Sequence, residues 1–399
     1  MSAASERPGL RSGHFRLWHN PQVRGVLIQA LLLAVVAWFA WEIIDNTITN
    51  LRQRHIASGY RFLDSTAGFG IIQTLIPYSE VSSYGRAFIV GLLNTILVAG
   101  LSIVLATVIG FIVGIMRLSS NWLIAKIGTA YVEIIRNIPL LLQLFVWYRA
   151  VLKAMPAPRQ SIAIADAAFL NNRGLYVPYP VFGQGITWVM AAFAGGILLS
   201  VLYGIHARRV QERTGRMPPR LAASLGLILG LPLVTAFITG LGVSLDYPVL
   251  QGFNFVGGLN VIPEFTALFL GLSIYTAAFI AEIVRAGVQS VSKGQTEAAH
   301  ALGLHESTTL RLIVLPQALR VIIPPLANQY LNLTKNSSLA VAIGYPDVVA
   351  TGGTILNQTG QAVEVISLWM AVYLSLSLLT SGFMNWFNAR MALKGAPSL

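Results

Sequence analysis

The chain has 399 residues, of which 55% are hydrophobic and only 11% are charged, and its formal net charge is +12. A soluble domain carries about 25% charged residues, so this composition excludes an ordinary soluble protein and predicts several membrane helices. The sequence has no cysteine, which excludes disulfides and thiolate metal sites. The positive charge would suit nucleic-acid binding, but basic cytoplasmic loops explain it better in a membrane protein.

Eight mostly apolar runs, each long enough to cross a bilayer, predict an all-α membrane protein. The first run is too long for a signal-peptide core and lacks a small-residue cleavage site, which favours an uncleaved helix. Between the first two runs, segment 69–77 is interpreted as a short helix on the membrane surface. The predicted spans are 26–44, 87–115, 124–152, 184–203, 221–241, 265–283, 319–344 and 363–383.

The distribution of lysine and arginine predicts how these spans are oriented. With the amino terminus inside, the cytoplasmic segments hold 17 of these residues and the outer segments hold 8. Two more, Arg136 and Lys335, lie within predicted spans. Because cytoplasmic loops carry the excess of positive charge, both termini and the loop between spans six and seven are predicted to be cytoplasmic.

A moderately polar stretch separates spans six and seven. Thr296 is predicted to cap a short helix, with Glu297 in its first turn, where a negative charge suits the helix dipole. Gly303 permits a backbone turn that a side chain would resist. Ser307 is predicted to cap a second short helix, which ends near Leu315 because a proline follows.

The spacing of this stretch, E-A-A-x3-G-x9-I-x-L-P, resembles the coupling motif of ABC importer permeases. The resemblance implies that the cytoplasmic loop 289–316 docks into a groove on a separate ATPase subunit. An ordinary amphipathic helix pair at a membrane surface is the alternative interpretation. The residues at the motif positions are Glu297, Ala298, Ala299, Gly303, Ile313, Leu315 and Pro316.

Further segments resemble the polar amino-acid (histidine, glutamine and arginine-type) branch of ABC permeases. The resemblance implies the five-helix core of a type I ABC importer permease. An extra amino-terminal helix and an insertion with two helices depart from the ordinary branch. This longer layout is similar to the larger permease subunit of general L-amino-acid transport systems. The segments are RNIPLLLQL (136–144), YTAAFIAEIVRAG (275–287), LPQAL (315–319), IPPLANQ (323–329) and KNSSL (335–339).

The resemblance also implies a domain organisation. The parts are a basic cytoplasmic amino terminus (1–25), the extra first helix with its periplasmic loop (26–86), the first part of the permease core (87–153), the insertion (154–262), the second part of the core with the coupling loop (263–388) and a cytoplasmic tail (389–399).

The function implied is that of a permease subunit of an ATP-driven importer in the bacterial inner membrane, carrying L-amino acids of broad range from periplasm to cytoplasm. A second, related permease, two ATPase subunits and a periplasmic amino-acid-binding protein are the expected partners. The chain lacks GxxxxGK[ST], so ATP and magnesium are expected on the ATPase and no cofactor, metal or catalytic residue on this chain. The alternatives are a narrower glutamate, glutamine, aspartate and asparagine permease, an ion-coupled secondary transporter and a membrane-embedded enzyme.

The seventh span is the most polar, and Pro324 and Pro325 are expected to kink or interrupt its start. Gln329, Asn332 and Asn336 share one helical face and can hydrogen-bond an amino acid's ammonium and carboxylate groups. Many members of the family place an acid where Asn336 stands, and a neutral residue fits a broad substrate range. Hydrogen bonding between helices is the alternative role. The predicted pathway residues are Gln329, Asn332, Lys335, Asn336, Ser337, Asn94 and Thr95.

Two acid–base pairs at i,i+3 spacing occur within spans. We expect Glu133 to pair with Arg136, and Glu282 to pair with Arg285, in structural roles near the cytoplasmic ends of their helices.

Overall fold

The computed structural model describes residues 21–53, 59–215 and 218–391. Most of the basic segment 1–25 and of the tail 389–399 lies outside these residues. The described α-helices are α1 (Pro21–Gln53), α2 (Tyr84–Met116), α3 (Trp122–Asn137), α4 (Leu140–Phe145), α5 (Ile186–Thr214), α6 (Arg220–Leu225), α7 (Leu231–Ile238), α8 (Pro263–Gln289), α9 (Lys293–Ala301), α10 (Glu306–Thr309), α11 (Leu315–Asn336), α12 (Val348–Thr359) and α13 (Ala362–Met391).

Eight short strands lie in the insertion. They are β1 (Ile162–Ile164), β2 (Ala168–Asn171), β3 (Gly174–Val177), β4 (Tyr179–Phe182), β5 (Val243–Asp246), β6 (Val249–Gln251), β7 (Asn254–Val256) and β8 (Leu259–Val261). They form one antiparallel sheet in the order β1-β2-β3-β8 and two ribbons, β4-β5 and β6-β7. The sequence analysis did not predict these strands.

Among the described residues, seven helices are long and apolar enough to cross a membrane, and eight if one sharply bent pair counts as a span. The prediction of a helical membrane protein with about eight spans is therefore confirmed. Several helices extend beyond the predicted apolar runs: α1 spans Pro21–Gln53, and α5 continues to Thr214.

The predicted continuous third span is wrong. The helix direction changes by 102° between α3 and the segment Leu140–Leu152. The break falls at Ile138, which is extended, with φ −99° and ψ 124°, because the residue before a proline avoids the helical region. The Gln143 side chain donates to the carbonyl oxygens of Ile135 and Ile138, at 2.9 Å each, so the break leaves these two groups satisfied.

The core is centred on α2 and α8, which lie side by side and parallel. A Cβ built on Gly110 would lie 2.6 Å from the Ile280 Cβ, and one on Gly114 would lie 2.7 Å from the Val284 Cβ. The two glycines therefore let the helix backbones approach closely, the usual basis of helix packing in membranes. α11 packs against α8 in the same way at Gly287, which faces Ile322.

α12 was not predicted as a separate helix. It runs antiparallel to α2, since the Val348 amide donates to Thr95 Oγ1 at 3.0 Å while Tyr84 Oη at the start of α2 lies 3.0 Å from Gln358 Oε1. The predicted surface helix at 69–77 is also wrong, because this segment has no helix. It crosses over the start of α12, where the Gln73 carbonyl accepts from Asn94 Nδ2 at 2.9 Å.

The two helices of the insertion form a hairpin. α5 packs along α6 and α7, with Gly196 against the Leu227 carbonyl. The strands lie at the end of the hairpin where α5 begins and α7 ends, and β8 leads directly into α8. The turn between α5 and α6 therefore lies at the same end of the molecule as α9 and α10.

Candidate coupling loop and transport pathway

The segment between α8 and α11 contains two short helices at an angle, as the sequence predicted. Gly303 joins them with φ +75°, in the left-handed region where a side chain costs about 1 to 2 kcal/mol. A cleft of about 470 Å³ separates the helices, with Thr296 and His300 on one wall and Glu306 and Leu310 on the other.

The helix boundaries within this segment differ from the predicted ones. α9 begins after Ser292, so Thr296 does not cap it and Glu297 lies in its second turn. α10 begins at Glu306 after His305, so Ser307 is inside the helix. The second helix does not end near Leu315. It continues through the π-helical turn Leu310–Val314 into α11, because a proline is tolerated in the first turn of a helix, where its missing N–H has no partner to lose.

The motif residues divide between an exposed and a packed set. Glu297, Ala298 and Gly303 are exposed, and so is the neighbouring Leu302, at 80%. Ala299 is buried. The other motif residues lie where the segment enters α11: Ile313 and Pro316 are half-buried and Leu315 is partly exposed.

An ion-pair cluster connects this segment to the rest of the core. Glu282 near the end of α8 binds Arg285 one turn later and Arg117, which follows α2. Arg285 also donates to Gln289 Oε1 at 2.6 Å. The expected Glu282–Arg285 pair is thus present, and Arg117, which sequence reasoning missed, ties the C-terminal ends of α2 and α8 together. The sequence offered one signal for this contact, because Arg117 is a basic residue directly after an apolar run.

The expected pair of Glu133 with Arg136 is absent from the ion pairs of the described residues. The Arg136 guanidinium lies over the Phe279 ring instead, 4.9 Å from its centroid. A cation over an aromatic face is stabilised by the ring quadrupole.

The polar face of α11 points away from the other helices of the chain. Asn332 and Lys335 are exposed, and Gln329 and Asn336 are partly exposed. Their side chains make no hydrogen bond or ion pair within the described parts of the chain. α11 also continues through Pro324 and Pro325 as one helix, so the expected interruption does not occur.

The other three predicted pathway residues are fully buried. Asn94 Nδ2 donates to the carbonyls of Gln73 and Pro346, at 2.9 Å each. Thr95 Oγ1 donates to the Gly91 carbonyl and accepts from the α12 backbone. Ser337 Oγ donates to the Thr334 carbonyl at 2.7 Å. These contacts support the alternative role in helix packing, since none of the three side chains reaches an open surface.

The chain is similar to several known transport proteins. Residues 216–393 match the family described as binding-protein-dependent transport system inner membrane component. The chain is 53% identical to the general L-amino acid transport system permease protein AapQ of Rhizobium johnstonii, over 94% of both chains. It is 42% identical to the glutamate/glutamine/aspartate/asparagine transport system permease protein BztB of Rhodobacter capsulatus, over 99% of this chain and 100% of that one. A solved structure described as an amino acid ABC transporter with histidines matches with a TM-score of 0.46 and 22% identity, over 77% of this chain and 95% of that one.

The family match and the relatives define a membrane-embedded transport subunit. The chain belongs to the amino-acid ABC transporter permeases, a branch of the binding-protein-dependent transport system inner membrane components. The resemblance drawn from sequence segments is thereby confirmed. It extends to the extra helix and the insertion, because the alignment to AapQ covers nearly the whole chain.

Proposed function

We propose that this chain is one of two related permease subunits of an importer for L-amino acids of broad range, located in the bacterial inner membrane. The observation that carries the substrate class is the 53% identity to a general L-amino acid permease across 94% of both chains. The second permease, two ATPase subunits that bind ATP and magnesium, and a periplasmic binding protein complete the proposed complex.

The polar face of α11 supports a role for a second permease. Asn332 and Lys335 are exposed on a helix that is long and apolar enough to cross a membrane. Lipid cannot satisfy polar groups, so such groups face a bundle interior or a wet cavity. A related subunit packed against this face would enclose a polar path. Gln329 and Asn336 carry no charge, so they suit the ammonium and carboxylate that all amino acids share.

α11 also supports a mechanism. It begins directly after the coupling segment and carries the polar face about four to six turns further on. In the proposed cycle, closure of the ATPases moves α9 and α10. α11 and the linked ends of α2 and α8 transmit this movement, and the pathway alternates between its outward-open and inward-open states.

A narrower substrate range is the second candidate, favoured by the 42% identity to the BztB protein. Reconstituting the four-component complex in proteoliposomes and measuring uptake of neutral, acidic and basic L-amino acids with ATP inside separates the two. The broad function predicts uptake of all three classes, and the narrower one predicts acidic amino acids and their amides only. Uptake without the ATPase, driven by an ion gradient, would contradict both.

The coupling role is tested with two matched glycines. Gly303 and Gly360 have nearly equal φ, +75° and +72°, and open space around the position of a Cβ. Gly303→Leu is expected to reduce co-purification of the ATPase and substrate-stimulated ATP hydrolysis, whereas Gly360→Leu carries the same backbone strain outside the coupling segment. Equal coupling in the two variants would remove the docking proposal.

The proposed orientation puts both termini and the coupling segment in the cytoplasm. Because the chain has no native cysteine, single substitutions report without background. Val210→Cys and His300→Cys are expected to react with an impermeant thiol reagent only from the cytoplasmic side, and Ala165→Cys only from the periplasmic side. Labelling of all three from one side would mean that the hairpin does not cross the membrane.

A further inference from the structure

The segment that joins α5 to α6 carries a concentration of positive charge to which the proposed transport cycle assigns no role. Residues 206–220 contain five arginines and a single acidic residue, Glu212. The described arginines of this segment form what we call the arginine cluster: Arg208, Arg209 and Arg213 at the end of α5, and Arg220 at the start of α6.

Three members of the arginine cluster have no partner within the described residues. Arg208, Arg209 and Arg213 are exposed and form neither an ion pair nor a hydrogen bond there, while Arg220 donates to Gln211 Oε1 at 2.6 Å. Arg209 and Arg213 lie one turn apart on the same helical face, where like charges repel and destabilise the helix. A bound anion would relieve this repulsion.

The position of the arginine cluster relative to the bilayer follows from helix length. The apolar part of α5 runs over 186–205, which at 1.5 Å per residue spans about 30 Å. This length equals the hydrocarbon thickness of a typical bilayer, about 30 Å. Arg208 and Arg209 therefore emerge at the level of the lipid phosphates, and Arg213 lies one turn further along α5. Arg220 directly precedes the apolar run of α6.

The hairpin itself is surrounded by lipid rather than by protein within this chain. Only 6% of the residues in the most apolar stretch of α5 are buried inside the chain. In the most apolar stretch of α6 and α7 the buried share is zero. α5 packs mainly on α6 and α7, and these helices make no extensive contact with α9 or α10. An acidic surface of the ATPase, docked at those two helices, is therefore a less suitable occupant than the surrounding lipid.

We propose that the arginine cluster binds the phosphate headgroups of anionic phospholipids and that this binding fixes the hairpin at its cytoplasmic turn. Guanidinium groups bind phosphate through paired hydrogen bonds, which makes arginine better suited than lysine to this role. Juxtamembrane clusters of this size attract anionic lipid in proportion to the number of basic residues.

The test measures which lipid stays bound to the purified full complex. The complex in detergent is incubated with equal amounts of dioleoyl-phosphatidylglycerol and dioleoyl-phosphatidylcholine, and bound lipid is counted by native mass spectrometry. The wild type is expected to retain phosphatidylglycerol preferentially. The triple variant Arg208→Gln, Arg209→Gln and Arg213→Gln is expected to lose this preference, by about fivefold for each arginine removed, given about 1 kcal/mol per basic residue at the surface.

Two controls keep the result interpretable. Arg61→Gln, Arg159→Gln and Arg173→Gln together remove the same charge at the opposite end of the molecule and should leave the preference intact. The variant with lysine at the same three positions, Arg208→Lys, Arg209→Lys and Arg213→Lys, should retain most of the preference for phosphatidylglycerol. Inorganic phosphate added as competitor should displace little lipid if the acyl chains contribute to binding, and full displacement would indicate a site for free phosphate.

The proposal is overturned if the triple glutamine variant keeps the wild-type preference, or if the control triple loses as much. It is also overturned if the glutamine variant retains phosphatidylglycerol but co-purifies less ATPase, which would assign the cluster to that subunit. The lipid count rests on the proposed complex but needs neither transport nor a known orientation, so it can fail while the proposed function stands.

Discussion

The helices of the core and those of the insertion hairpin have similar apolar sequences, but they differ in how much of their surface is buried inside the chain. In the most apolar stretch of α8, 61% of the residues are buried inside the chain, and 33% in α2. In α5 the share is 6%, and in the α6–α7 helix and in α1 it is zero. Apolar composition therefore brings a helix into the bilayer but does not decide whether it packs on another helix, because lipid is as apolar as leucine.

Small residues at fixed spacing account for the difference. Gly110 and Gly114 in α2 accommodate two β-branched side chains of α8, and Gly287 of α8 does the same for α11. The hairpin has fewer close contacts of this kind: Gly196 lies against the Leu227 carbonyl, and Gly185, just before α5, lies against Thr239. The core helices are therefore held to one another by close contacts, whereas the hairpin helices make few contacts with the core.

The strongest test of this contrast is a glycine replacement within one helix. Gly110→Leu is expected to force α2 from α8, since even a Cβ would lie 2.6 Å from Ile280. Overpacking typically costs about 1 to 3 kcal/mol, and a full leucine side chain at a helix contact should reach or exceed this range. We expect a lower Tm in detergent and little assembled complex.

Gly100 supplies the matched control in the same helix, because no atom lies within 4 Å of its would-be Cβ, and Gly204 supplies one in α5. Gly100→Leu and Gly204→Leu should leave Tm and assembly close to wild type. If Gly204→Leu proved as damaging as Gly110→Leu, the hairpin would have to pack on a partner protein instead of lipid.

The next effect concerns the ion-pair cluster that joins α2 to α8. Arg117→Gln removes one of the two arginines that bind Glu282, and losing a charged hydrogen bond costs about 1 to 3 kcal/mol. We expect a lower Tm and weaker stimulation of ATP hydrolysis by substrate. Lys153→Gln is the control, because its pair with Glu264 is longer, at 3.4 Å, and the lysine is 36% exposed, so its loss should cost less than about 1 kcal/mol.

The double variant Arg117→Gln with Glu282→Gln distinguishes a direct interaction from two separate effects. A direct pair predicts that the double variant is no worse than Glu282→Gln alone. Additive losses would show that Arg117 acts through other contacts.

Sequence reasoning succeeded where one chemical pattern determines one structure. Long apolar runs predicted the spans, and Gly303 predicted the left-handed turn. It failed where the outcome depends on neighbours. The break before Pro139 had a signal in that proline, but Pro316, Pro324 and Pro325 give the same signal and lie inside continuous helix. Asn94 and Thr95 read as polar residues in a span, and only the fold shows that they hold the start of α12. The small strands of the insertion are too short to show clear alternation.

The third prediction uses the polar face of α11. Asn336→Asp adds a negative charge, which should attract cationic substrates and repel anionic ones by about 1 to 2 kcal/mol at most in a partly dehydrated site. Since 1.4 kcal/mol corresponds to about tenfold in rate, uptake of arginine relative to glutamate should rise up to roughly that extent. Each amino acid is measured at saturation, because the binding protein also selects substrates.

Asn357→Asp makes the same chemical change on the exposed face of α12 and should leave the arginine-to-glutamate ratio unchanged. An unchanged ratio in an assembled and active Asn336→Asp complex would place Asn336 in helix packing rather than in the pathway.

The smallest expected effect compares how helices begin in the two regions. Asp347 caps α12, its Oδ1 accepting from the Ala350 amide at 2.7 Å, while α6 starts after Pro219 with no side-chain cap. Asp347→Ala should lower stability by about 1 kcal/mol, the typical cost of a lost cap. Asp347→Asn retains an acceptor and removes a carboxylate whose other oxygen is buried without a partner among the described residues, so its Tm should equal or exceed that of the wild type. Pro219→Ala should change Tm little. If Asp347→Asn fell as far as Asp347→Ala, the carboxylate charge itself, rather than the cap, would hold the turn between α11 and α12.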